Sequence, residues 1–142
     1  MAEIVRSIGD WSASDRPLIE RIRDYDWDGA MEASCAEIAT LVGDDFMQVG
    51  EAFWTHYLKL PATAGIRDYY VGDRMRAQLR SSGSYMAEKF RRPLDEAWLH
   101  MASKHAEAAH RSQIPLSALL SAFGQSHSAI LKLLRERTGG DA

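Results

Sequence analysis

The chain has one cysteine in 142 residues, Cys35, and a lone thiol can neither close an intramolecular disulfide nor build a cysteine-rich zinc site. It has no run of about 18 apolar residues, which excludes a membrane-spanning helix, and its first residues, MAEIVRSIGDW, lack the charged and long apolar regions of a signal peptide. These absences predict a soluble, cytoplasmic protein. An excess of positive charge is also missing: 17 Lys and Arg against 20 Asp and Glu give a net charge of -3, so neither nucleic acid nor a membrane is expected as a main partner. No HExxH, GxSxG or glycine-rich phosphate loop occurs, and no enzymatic activity is expected. No alternating β-branched run extends beyond a few residues, and no Asn-Gly or Asp-Gly turn joins two such runs.

What is present repeats at helical spacing, which makes the expected class all-α and, at this length, one domain over 1–142. Ser14, Asp15 and Pro17 start a short helix carrying Leu18, Ile19 and Ile22, and Asp24 to Asp28 forms a turn. A second helix runs from Gly29 to Val42 and stops at Gly43. Asp44 caps a third from Asp45 to Leu60, with Phe46, Val49, Phe53, Tyr57 and Leu60 on one stripe and Pro61 closing it. After a connector, a helix starting at Asp73 carries Met75 and Leu79, with Gly83 as a weak point. Pro93, Asp95 and Glu96 open the next, which reaches His110, and the last runs from Pro115 to Arg137.

Of the five histidines, His105 and His110 stand out. His105 falls on the stripe Leu94, Trp98, Met101, His105, Ala108, so periodicity points it inward, whereas His110 shares a less apolar flank with Leu99, Ser103 and Ala106, just before Ile114-Pro115. A neutral imidazole on such a helix is what a buried metal ion needs. Two ligands to one zinc do not fit, because residues five apart do not share a helix face. Bulky side chains that could wall a large apolar slot are abundant: Phe46, Phe53, Trp54, Tyr57, Tyr69, Tyr70, Met75, Leu79, Leu119 and Phe123. Stripes of this kind also build plain helical cores.

The order of segments resembles the globin domain of the globin-coupled sensor family, to which protoglobin-like domains also belong. The strings that carry the resemblance are GEAFWTHYLKLP from Gly50 to Pro61, DRMRAQL from Asp73 to Leu79, the histidine helix, Ile114-Pro115, and the apolar helix through Leu120-Ser121-Ala122-Phe123. They span about residues 15 to 135.

The resemblance implies a globin-like fold that lacks the last globin helix, and iron protoporphyrin IX (haem b) as cofactor. It makes His110 the iron ligand, because the family places this histidine shortly before the Ile-Pro position, while periodicity favours His105. The remaining haem contacts it implies are Phe46, Phe53, Trp54, Tyr57, Tyr70, Met75, Gln78, Leu79, His105, Ile114, Leu119 and Phe123. Trp54 stands where many relatives carry a tyrosine that hydrogen-bonds bound oxygen, leaving Tyr57 or Gln78 as polar contacts. A diatomic gas (O2, CO or NO) is the implied ligand. The signal would leave through a homodimer built on the C-terminal helix, where Ile130, Leu131 and Leu134 would be exposed in a monomer, to an output module outside this sequence. The competing reading is a haem-free module of the same fold used for dimerisation or partner binding.

Overall fold

The computed structural model describes residues 17–24 and 26–140; Ser14 and Asp15 lie outside the described residues. Among these the chain is all-α: α1 Leu18–Arg23, α2 Ala30–Val42, α3 Phe46–Tyr57, a 3₁₀ helix Pro61–Ile66, α4 Gly72–Arg91, α5 Glu96–Arg111 and α6 Leu116–Arg137.

The turn before α2 is shaped by carboxylates. Asp26 accepts from the amides of Met31 (2.7 Å) and Glu32 (3.1 Å), and Asp28 accepts from Ala30 (3.1 Å), which supplies acceptors to donors that the first helical turn leaves unpaired. Gly43 ends α2 with φ of 59°. Asp45, not Asp44, occupies the cap position of α3, and its carboxylate binds Arg137. Arg137 also donates to the carbonyls of Leu41 and Val42, so the end of α6 is fastened to the α2–α3 corner. α3 stops at Tyr57, short of Leu60, because Leu60 turns extended ahead of Pro61.

α3 is the central element and packs mainly against α4 and α6. Its buried face runs through both parts of the core. Phe46 and Val49 join Ala39, Val42, Met86, Ala87, Ile130 and Leu133 at one end, while Phe53, Trp54 and Tyr57 join Ala109, Ile114, Ala118, Leu119 and Ala122 at the other. α4 continues through Gly83 without a break. A side chain there would meet the Met47 backbone at 3.2 Å, so the missing Cβ lets α3 and α4 cross closely.

α5 is capped by the Asp95 carboxylate, which accepts from Ala97, and buries fully only Leu99 and Ala109 along 16 residues. It rests chiefly on α4. Its last turn closes in a Schellman arrangement: Gln113 takes φ of 57°, its amide donates to His110 O (3.0 Å), and the Ile114 amide donates to Ala109 O (2.9 Å). Ala109 and Ile114 are thereby turned into the core.

Ile130 is buried, contrary to its expected exposure, and Leu134 is half-buried against the same cluster. Both face α2 and α3, so of that trio only Leu131 projects into solvent.

Candidate functional site

A cavity of about 540 Å³ lies between α3, α4, α5 and the start of α6. Its α3 wall is Phe53, Trp54 and Tyr57, one helical stripe of large rings. α4 contributes Gln78, Ser82 and Tyr85, at i, i+4 and i+7, and Ile114, Leu119 and Phe123 close the far end. This volume is within the ~300–1,000 Å³ range of small-molecule and cofactor sites.

His105 projects from α5 toward the α3 rings. Its imidazole centroid is 5.8 Å from Phe53, edge to face, 5.8 Å from Trp54 and 6.3 Å from Tyr57. Partial burial lowers its pKa below the usual histidine value, because less water solvates the charged ring, and so favours the neutral form that can bind a metal. The phenol of Tyr57, 1 % exposed, is pushed up to about 12 by burial and by the neighbouring Tyr70. It remains a proton donor throughout the physiological range.

Trp54 is held at its polar end. Its Nε1–H donates to Ser82 Oγ at 2.6 Å, and its ring leans on Tyr70 with centroids 4.8 Å apart. The indole donor is therefore committed to α4 and is not directed at a ligand.

Of the residues expected at the site, Phe53, Trp54, Tyr57, Tyr70, Gln78, His105, Ile114, Leu119 and Phe123 come together around this cavity. Phe46 does not: it lies two turns before Phe53, about 10 Å along the axis, and packs in the other part of the core against Phe90. Met75 and Leu79 line a separate groove on the far side of Trp54. His110 is exposed and does not line the cavity. The Schellman ending that turns Ala109 inward leaves the next residue outside.

Ser82, Tyr85, Met101 and Lys104 also line the cavity and were not anticipated there. Ser82 and Tyr85 follow Gln78 at helical spacing and would have been found by extending that stripe, Met101 already lay on the His105 stripe, and Lys104 carried no such signal.

The donor set suits a haem: a neutral imidazole, broad aromatic faces and the Lys104 ammonium at the rim for a propionate. The spacing is tighter. His105 already touches the α3 rings, its centroid 5.8 Å from Phe53 and from Trp54, so a flat macrocycle about 3.4 Å thick between them, with a gas on its open face, needs several ångström of added separation. α5, the helix with so few fully buried residues, would have to move outward by about that amount. Among the described residues no group of three or more His, Cys, Asp or Glu side chains could hold a metal ion.

Comparison with protein-family models, curated proteins and solved structures found no match to this chain.

Proposed function

We propose that the chain is a haem-binding gas-sensor domain of the globin-coupled sensor type, with His105 rather than His110 as the iron ligand. The observation that carries this reading is the His105 imidazole set against three aromatic rings at a cavity of about 540 Å³. When bound, haem supplies an iron with an open position for a diatomic gas. The chain's own residues do the rest. His105 anchors the iron, the rings of Phe53 and Phe123 exclude water, and the protonated Tyr57 phenol and the Gln78 amide are the available donors, since Trp54 is engaged by Ser82.

The same reading sends the signal along α6, which carries Leu119 and Phe123 in the cavity wall. Leu116 and Leu120, 67 % and 59 % exposed, and Leu131 form the apolar part of its outer face, on which a homodimer would be built.

The test is an absorption spectrum after reconstitution with haemin, reduced with dithionite and then exposed to carbon monoxide. A Soret band that shifts with carbon monoxide in the native chain and in His110→Ala, but is lost in His105→Ala, is the expected result. A spectrum identical to free haemin overturns the reading, and loss only in His110→Ala overturns the choice of ligand.

The close approach of His105 to Phe53 and Trp54 favours a second reading, a haem-free dimerisation or partner-binding module, in which those rings simply pack. That reading predicts the featureless haemin titration.

A further inference from the structure

Trp54 has a second face. Besides the cavity it lines the base of a groove of about 460 Å³ between α3, the connector and the first half of α4, a groove that His105 does not line. Leu58, Met75 and Leu79 complete an apolar bed, and Glu51, Thr55, Lys59 and Arg67 line the rim.

Arg67 is fixed in place by main-chain carbonyls beyond the end of α3. Its Nε–H donates to Leu58 O at 2.5 Å and its Nη2 to Leu60 O at 3.2 Å. A guanidinium carries five N–H donors, so three remain, already oriented, at the edge of an apolar surface. Lys59 stands on the same rim, and neither cation forms an ion pair with another described residue. Glu51 lines the same groove.

We propose that this groove binds a small amphipathic carboxylate, its apolar part on Leu58, Met75 and Leu79 above the buried Trp54 and its carboxylate on Arg67 and Lys59. The planar guanidinium fork matches the two oxygens of a carboxylate. Glu51 repels any anion, and a dianion such as a phosphate monoester more than a single carboxylate, while the apolar bed calls for a ring or short chain on the ligand. Because the Trp54 indole also walls the cavity, an occupant of the groove presses on the residue that spans both. The proposal does not rest on haem binding.

The experiment uses the haem-free chain and 4-phenylbutyrate as probe, followed by two-dimensional NMR of the Trp54 indole N–H, assigned by its loss in Trp54→Phe, and of the Met75 methyl. A saturable shift of both signals is expected, with affinity reduced by about tenfold or more for the uncharged 4-phenyl-1-butanol and in Arg67→Gln, as befits loss of a charge-assisted contact. No saturable shift, equal affinity for acid and alcohol, or shifts centred on Tyr85 and Met101 in the cavity instead of Met75 would each overturn it. If Arg67→Gln does not fold, the comparison of acid with alcohol on the native chain and the Lys59→Gln variant decide the matter. Haemin is absent throughout, so failure here leaves the haem reading to its own spectrum.

Discussion

Adding one methyl group at Gly50 tests how closely α3 and α4 cross beside the cavity. A Cβ built on Gly50 would stand 2.8 Å from the Ser82 Cβ and 3.4 Å from the Ser82 carbonyl carbon. Carbon atoms in good contact are about 3.5–4.0 Å apart, so Gly50→Ala forces the helices to separate by roughly 0.7 Å or more. Overpacking of that kind costs about 1–3 kcal/mol, and alanine recovers about 0.8–1.0 kcal/mol of helix propensity over glycine, so the net loss is about 1 kcal/mol. Gly124 on α6 provides the control, because it is exposed and a Cβ there meets nothing within 4 Å. Gly124→Ala keeps only the propensity gain, a stabilisation approaching ~1 kcal/mol. Urea unfolding followed by circular dichroism measures both, and the two substitutions should differ by about 2 kcal/mol in opposite directions with unchanged slope. Equal stabilisation by both would refute the close crossing at Gly50.

Ser82→Ala leaves the buried Trp54 indole N–H without its acceptor and should cost about 1–2 kcal/mol in urea unfolding, whereas adding the same change to Trp54→Phe should cost almost nothing further. The folded Tyr57 value of about 12 lies above the ordinary tyrosine value of ~10, so between them the folded chain holds a proton that the unfolded chain has lost. Its contribution to stability is complete below pH ~10 and is lost as pH rises through the folded value; Tyr57→Phe should flatten this alkaline decline in denaturation midpoints measured against pH. Gln113 holds a left-handed conformation that costs a non-glycine residue about 1–2 kcal/mol, so Gln113→Gly should stabilise the chain by about 0.5 kcal/mol after glycine's greater chain entropy is subtracted. A loss of stability in that variant would contradict the Schellman ending of α5.

Helix boundaries were legible wherever a single residue determines them locally. Gly43, Pro61, Pro93 and Pro115 each stand beside an observed helix end, since a left-handed glycine or a missing amide acts within one turn. Gly83 was not legible in this way, because its role depends on Met47, 36 positions earlier, crossing over it. Periodicity put Phe53 and Tyr57 on one stripe of α3 and the resemblance added Trp54, Leu119 and Phe123, whereas neither showed the division between cavity and groove. Met75 and Gln78 are three apart on α4, yet the Trp54 ring, latched to Ser82, separates the spaces they line. A partition made by one side chain has no periodic signature.

The two histidines show how a resemblance and a helix can disagree. Residues five apart on an α-helix are offset by about 140° around its axis, so His105 and His110 cannot both face the cavity. Distance from Ile114-Pro115 selects His110, but that distance is measured through the turn that ends α5. With Gln113 left-handed and the Ile114 amide returning to Ala109 O, Ala109 packs beside Ile114 and the inward stripe becomes Met101, His105, Ala109. Moving His110 inward would require rotating α5 by more than a third of a turn, which would take Ala109 out of the core and break the Schellman pairing. On the proposed haem reading the helix end would favour His105 as the ligand, and Gln113→Gly, which strengthens that end, should leave iron coordination on His105. A transfer of the Soret-linked ligand to His110 in Gln113→Gly would show that the turn does not control the register of the helix.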